Sequence, residues 1–296
     1  MPYADLNDYK SHAQFKQLQG HKIAVWQHVN PNPAAETLVF IHGFPSAAWD
    51  WHSQWQAFKS DCNLVALDLL GYGLSAKPHP HKYSILEQAD IIEQLLSELE
   101  LSSISVIAHD YGDSVAQELL ARVNLGESSY NINHMIWLNG GLFPESHRPL
   151  VTQRLLHSWL GPVCARLLSQ ATLRKSFTRI FGPQTPPKTH EIDVLWELMK
   201  HNDGRCVLPA ILDYLDDRIR YRDRWVAAMQ NTAKQATSKL MFINGTYDPI
   251  SGKHMLSRFQ YLLPETPTRA LPVGHYPQLE APEQVNQIIS EIISEK

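Results

Sequence analysis

The stretch SVIAHDYGDSVAQELLARV, residues 105–123, passes from a β-type apolar run into a helical pattern through Ala108, His109, Asp110, Tyr111 and Gly112. Small residues two positions to either side of Asp110 permit the strained turn of a nucleophile elbow, which lifts one side chain clear of a sheet. A carboxylate raised in this way is a weak acyl acceptor, but it can displace a leaving group from an alkyl carbon and become an ester of the protein itself. Water must then attack the Asp110 carboxyl carbon, and the resulting oxyanion needs N–H donors. The expected donors are the backbone N–H of Tyr111, at the start of the following helix, and that of Phe44 in FIHGFP, residues 40–45. Gly-x-Ser-x-Gly occurs nowhere in the chain, which argues against a serine hydrolase.

Such a reaction also requires a base for the water and a group that orients the base. His275, in PVGHYPQLE, lies late in the chain, where a histidine following a strand can reach an elbow residue. Asp248, in FINGTYDPIS, is placed to hold the imidazole in one tautomer. The alternative position for that acid, after the preceding strand, is Asn139, which cannot be a carboxylate.

The elements that must carry these residues alternate short apolar runs with longer amphipathic ones, the pattern of helices packed on a mostly parallel sheet. Strands are expected at 15–18, 23–28, 37–41, 63–68, 104–109, 134–139, 239–244 and 268–272. A helix is expected at 84–99, with Ser84 as cap and Glu87 completing a capping box. About ninety residues between the sixth and seventh strands have no strand pattern, too many for a plain connection. The fold class expected is α/β, a mostly parallel twisted sheet with helices on both faces. Residues 1–140 and 233–296 form its core, and 141–232 form an inserted helical cap over the carboxyl ends of the strands.

Composition narrows the classes. In 296 residues, 26 Lys plus Arg face 30 Asp plus Glu, a net charge of −4, which leaves no footprint for nucleic acid or an anionic membrane. No run reaches the ~18 apolar residues of a membrane span, and the opening MPYADLNDYK lacks the plan of a signal peptide, so a cytoplasmic protein is expected. The three cysteines, Cys62, Cys164 and Cys206, suggest neither a disulfide framework nor a zinc site. Neither a metal nor an organic cofactor is expected in the reaction.

Together these residues resemble the α/β-hydrolase-fold proteins of the epoxide hydrolase and haloalkane dehalogenase group. The resemblance runs from His42-Gly43-Phe44-Pro45 through DLLGYGLSAKP at 68–78 and the elbow to Gly274-His275. More narrowly, HDYGDSVAQELL, NGGLFPESHRP at 139–149, FGP at 181–183, NDG at 202–204, RWV at 224–226 and HYPQLE at 275–280 resemble the mesoderm-specific transcript group and its bacterial relatives. The resemblance implies an Asp110 nucleophile, a His275 base and an Asp248 acid. Dehalogenases of the group bind the departing halide with side-chain N–H groups after the nucleophile and often after His-Gly. Here those positions are Tyr111 and Phe44, neither of which has such a donor. Epoxide hydrolases carry His-Gly-Phe-Pro or a close variant and protonate the opening oxygen with cap tyrosines, for which Tyr214 and Tyr221 are the candidates. The tyrosine that many of them place after Trp225 is Val226 here.

The expected activity is therefore hydrolysis of a small apolar epoxide with water. Haloalkane or haloacid dehalogenation is the alternative, and a ligand-binding protein of the same fold without turnover is the other class. Assembly as a homodimer stays open. Several residues read more simply. Asp113 fits an acid placed by the helix dipole, and His42 and His109 fit backbone-fixing roles. Arg218 to Arg224, interleaved with acids, fit a solvated helix face. His79-Pro80-His81 has the spacing of a metal pair but reads as an exposed loop without further ligands, and Trp49, Trp51 and Trp55 read as packing groups.

Overall fold

A computed structural model describes residues 5–294. Eight strands occur where the apolar runs predict them: β1 (Gln14–Leu18), β2 (His21–His28), β3 (Thr37–Ile41), β4 (Asn63–Leu67), β5 (Ser103–His109), β6 (Asn131–Leu138), β7 (Lys239–Gly245) and β8 (Thr268–Leu271). They form one sheet in the order β1-β2-β4-β3-β5-β6-β7-β8. β2 pairs antiparallel with β1 and β4, and every pairing from β4 onward is parallel. β3, from Thr37 to Ile41, is buried throughout, as expected of a strand covered on both faces.

The strand order sets the position of the site. Chain order turns back between β3 and β5, the kind of switch point where a crevice opens at the carboxyl ends of strands. The Phe44 loop follows β3 and Asp110 follows β5, so both arrive at that crevice. The helix Tyr111–Asn124 packs against the helix Ile85–Glu98 on one side and the helix Arg222–Gln235 on another.

The segment between β6 and β7 is helical, with helices at Val151–Leu156, Gly161–Leu167, Gln170–Ile180, Thr189–Lys200 and Tyr214–Arg220 before Arg222–Gln235. Its end is tied to the terminal loop of the sheet. Ile180 O accepts from His275 N at 2.7 Å, and the Glu280 carboxylate accepts from the N–H groups of Gly182 (2.7 Å), Gly274 (2.8 Å) and Tyr276 (3.0 Å) and from Thr185 Oγ1 (2.6 Å). These bonds account for the FGP and HYPQLE segments: one half-buried carboxylate gathers four donors from two stretches about a hundred residues apart.

Two local expectations need correction. Ser84 does cap the helix Ile85–Glu98, accepting from Glu87 N at 3.2 Å, but the Glu87 side chain does not fold back to complete a capping box; it turns to His81 instead. The cluster from Arg218 to Arg224 is a solvated face only in part, with Arg220 and Asp223 exposed. Arg218 is buried at the switch-point crevice, while Arg224 pairs with the buried Glu118 at 3.1 Å and Arg222 pairs with Glu145 at 2.6 Å. Trp49, Trp51 and Trp55 are buried packing groups. Among the described residues, no helix is long and apolar enough to cross a membrane.

Candidate active site

Asp110 joins β5 to the helix Tyr111–Asn124 with φ 49° and ψ −104°. This backbone conformation costs a non-glycine residue on the order of 1–3 kcal/mol, so the surrounding packing must impose it. Close approach explains the small neighbours. A Cβ on Gly112 would lie 2.5 Å from Ile41 O, and one on Gly43 would lie 2.8 Å from the Asp110 Cβ. The turn presses the nucleophile candidate against the β3 loop, where Phe44 N donates to Asp110 Oδ2 at 3.1 Å. The Tyr111 N–H opens the helix and is one of the four that lack an intrahelical acceptor.

His275 Nδ1 pairs with Asp248 Oδ2 at 2.7 Å. Both residues are buried, and among the described residues no hydrogen bond engages His275 Nε2. Asp248 also accepts from Ile250 N (2.7 Å), Ser251 N (3.1 Å), Ser251 Oγ (2.8 Å) and Asn139 Nδ2 (2.9 Å). Asn139 is thus a fixed donor to the acid and not a substitute for it. Burial alone would raise the Asp248 carboxyl, but the His275 charge and these donors bring it down to about 2. Burial would likewise lower His275, and Asp248 followed by Asp110 raises it above its ordinary value. Asp110 is opposed by burial and lowered by His275 and then Arg218, so it is held ionised.

The two other histidines of these loops are neutral. His109 donates from Nε2 to His275 O at 2.8 Å, with burial pushing it down to about 3. His42 donates from Nδ1 to Gly43 O and accepts from Leu69 N at Nε2, which fixes the loop that carries Phe44. Asp113 lies in the first helical turn as expected, yet it is wholly buried. Burial and the Asp110 charge push it far above the carboxylate range, so it carries no charge for the dipole to favour.

The largest group that sequence reasoning missed is Arg218. It is 1% exposed and reaches the nucleophile turn from the helix Tyr214–Arg220, donating to Ser114 Oγ at 2.7 Å and to Asp110 O at 2.9 Å, with Asp110 Oδ1 at 3.5 Å. Its NH1 faces His147 Nε2 at 3.4 Å, and its guanidinium lies over the Tyr214 ring, 4.5 Å from the centroid. Tyr214 and Arg218 are four residues apart and share one helix face, a spacing that could have flagged them as a pair. His147, in the NGGLFPESHRP stretch, was the second omission; burial and Arg218 push it down to about 3, so it is neutral.

The two tyrosine candidates separate. Tyr214 is wholly buried, with its ring against Phe44 (6.2 Å) and Tyr111 (4.9 Å), and its hydroxyl has no partner at hydrogen-bonding geometry. Burial and the Asp110 charge raise it while Arg218 lowers it, so it stays a neutral phenol that senses the Asp110 charge. Tyr221 is half-buried, and its ring contacts are Trp225 and Arg220. Burial raises the Tyr111 hydroxyl, which like that of Tyr214 has no hydrogen-bond partner among the described residues.

A cavity of about 70 Å³, partly open to solvent, begins at Phe44, Pro45 and His275 and extends between the helices Val151–Leu156, Gln170–Ile180 and Thr189–Lys200. Leu156, Leu173, Phe177, Ile180 and Trp196 make most of its lining apolar. A lining of this kind suits an apolar molecule.

The sequence matches a family described as alpha/beta hydrolase fold over residues 36–282. It is 38% identical over 286 residues to the mesoderm-specific transcript homolog protein of Bos taurus, covering 94% of this chain and 84% of that one. It is 39% identical over 254 residues to LipZ of Mycobacterium tuberculosis, covering 83% of this chain and 84% of the relative. Among solved structures, a haloalkane dehalogenase loop variant from Bradyrhizobium elkanii superposes with a TM-score of 0.76 over 95% of this chain and 96% of that one, at 19% identity.

Proposed function

The chain belongs to the α/β-hydrolase fold family, and we propose that it is a hydrolase in which Asp110 forms an alkyl ester with an apolar epoxide. The observation that carries this reading is the Tyr214 phenol, buried, neutral and unpartnered, on a helix whose Arg218 touches the nucleophile turn. An alkoxide is too basic to leave without a proton, and a phenol beside the reacting carbon supplies one.

In the first step an Asp110 carboxylate oxygen attacks an epoxide carbon, the C–O bond breaks, and Tyr214 protonates the released oxygen. Esterification removes the Asp110 charge that had been raising both Tyr214 and His275. The phenolate is then favoured by Arg218, and His275 falls toward the free base that the second step requires. A water deprotonated by His275 Nε2 attacks the Asp110 carboxyl carbon. The tetrahedral oxyanion is held by the N–H groups of Phe44 and Tyr111. Collapse of this intermediate releases the diol oxygen, which takes its proton from His275. The Asp110 carboxyl returns its remaining proton to Tyr214, so an epoxide plus water becomes a diol. Residues 141–232 serve as the lid that brings Tyr214, Arg218 and the apolar walls to the core. Dehalogenation has less support, because Phe44 has no side-chain donor and Tyr111 offers only a hydroxyl in place of an N–H donor.

The test is peptide-level mass spectrometry of His275→Gln after exposure to mixed epoxides and haloalkanes. Removing the base should let the ester accumulate, as an adduct on Asp110 equal to a whole epoxide. An adduct lacking hydrogen halide would replace this reading with dehalogenation, and an unmodified Asp110 across the panel would overturn alkyl displacement altogether.

A further inference from the structure

His81 lies in a proline-rich loop two residues from His79, and the fold brings two other candidate ligands to it. His21 opens β2, Glu87 sits in the first turn of the helix Ile85–Glu98, and His81 lies in the loop between β4 and that helix. The three residues offer ligand atoms that all lie within 4.8 Å of one another. His81 Nε2 is 2.9 Å from both Glu87 oxygens, and His21 Nε2 is 3.6 Å from Oε1 of the same carboxylate. The imidazole rings stand nearly perpendicular, with centroids 5.3 Å apart and planes at 79°.

A simple ion pair does not account for this set. One carboxylate needs one histidine, yet two imidazoles turn the same ring nitrogen toward one carboxylate oxygen. Glu87 also gives up the capping-box position that its spacing from Ser84 offers. Zinc bonds of about 2.0–2.1 Å in a tetrahedron put neighbouring ligand atoms about 3.3 Å apart, and the 2.9 and 3.6 Å separations lie on either side of that value. All three side chains are a little over one-fifth exposed, so an ion can enter and a water can complete the tetrahedron.

We propose that His21, His81 and Glu87 form a binding site for a divalent transition ion of the zinc type, apart from the reaction centre. Two neutral imidazoles and one carboxylate suit such an ion better than they suit calcium or magnesium, which favour oxygen ligands. The ion would fasten the β1–β2 hairpin to the loop and helix beyond β4. The first turn of that helix also holds the helix of Tyr214 and Arg218, because Ile85 N donates to Asp217 Oδ2 at 3.0 Å. The role is structural, and it stands whatever reaction Asp110 performs.

Calorimetric titration of chelator-treated, desalted protein with Zn²⁺ should show one saturable site. His21→Ala, His81→Ala and Glu87→Gln should each weaken it at least about tenfold, while His79→Ala leaves it unchanged and Mg²⁺ gives no signal. Histidine footprinting of the unmodified protein with diethyl pyrocarbonate gives a second readout that requires no variant to fold. Zn²⁺ should protect His21 and His81 but not His79 or His157. Absence of saturable binding, variants that bind as tightly as the parent, or protection that falls on His157 would each overturn the site.

Discussion

On the sheet side of the cavity, Phe44, Asp110, Asp248 and His275 stand at the ends of strands or just beyond them, each held by backbone bonds close to its own position. On the helical side, Tyr214 and Arg218 lie on a seven-residue helix, with His147 in the loop after β6, and they meet the site through side chains, Tyr214 by ring packing and Arg218 by hydrogen bonds to Ser114 and Asp110. The sheet side takes its starting geometry from parallel strands, which fix where their loops begin, and the His275 loop is also bonded to Ile180 of the helical segment. The helical side exists only in relation to the other. Its guanidinium is buried where Asp110 balances its charge, and its phenol lies where the nucleophile's charge keeps it protonated. The comparison suggests a division of work in which the sheet side carries the covalent chemistry and the helical side decides which leaving group can be accepted.

Removal of the nucleophile should have the largest effect. Asp110→Asn should abolish both ester formation and turnover, a loss of at least about 10³-fold measured by steady-state hydrolysis, since no neighbouring carboxylate is ionised and free to replace it. Asp113, the nearest in sequence, is protonated and buried. Residual activity above that level would shift the chemistry away from the elbow.

Tyr214→Phe tests the other side of the cavity. It should lower kcat for an epoxide by about 10²-fold while barely changing turnover of a substrate whose leaving group needs no proton, such as a haloalkane or an activated ester. An equal loss on both substrates would make Tyr214 a packing group and erase the division of work.

The same division explains what was legible in the sequence. Asp110, His275 and Asp248 announce themselves because a strained elbow, a Gly-His after a last strand and an Asp after the preceding strand are local patterns fixed by backbone geometry. The eight strands are legible for the same reason: burial on both faces writes itself as short apolar runs. Arg218 is different. Its neighbours Asp216, Asp217, Arg220 and Arg222 make DDRIRYRDRW read as surface, and only the fold shows that one of its charges turns inward to meet Asp110 and Ser114. His81 and Glu87 meet only six residues apart, but His21, on β2, comes to the same carboxylate only through the fold.

Arg218→Gln should act through Asp110 rather than on the chemistry directly. Taking one partner from a buried ion pair costs about 3 kcal/mol, so the variant should unfold at lower denaturant or temperature. Without the guanidinium, the Asp110 carboxyl should rise toward neutrality, and the acid limb of ester formation should move to higher pH. Single-turnover alkylation measured against pH reads that shift, and Arg218→Lys should recover part of it. An unmoved limb would mean that His275 alone holds Asp110 ionised.

The pH dependence of stability should be smaller and of two signs. Asp248 is lowered to about 2 in the fold, so its contribution is complete above the ordinary carboxyl value and is lost as pH falls toward 2. His275 is raised, so its contribution is complete below the ordinary imidazole value and is lost as pH climbs through the folded one. Denaturation of His275→Gln should therefore lack the alkaline decline of the parent and keep part of the acid one. In turnover, ester hydrolysis should rise with pH until His275 is neutral and then level off.

The smallest expected effect separates the two tyrosines. Tyr221→Phe removes a hydroxyl from a half-buried ring that packs on Trp225, outside the set of groups that affect Asp110. The change should leave stability within about 0.5 kcal/mol, the usual range for a substitution that opens no cavity and strands no buried polar group. Turnover of epoxides should stay within about twofold, because no proton has to pass through this hydroxyl. Measured beside Tyr214→Phe on the same substrates, the pair forms a control within one stretch of helix, with identical chemical changes seven residues apart. If Tyr221→Phe were the slower enzyme, the proton donor would sit beside Trp225, and the helix of Tyr214 and Arg218 would have to turn or shift during the reaction to bring it there.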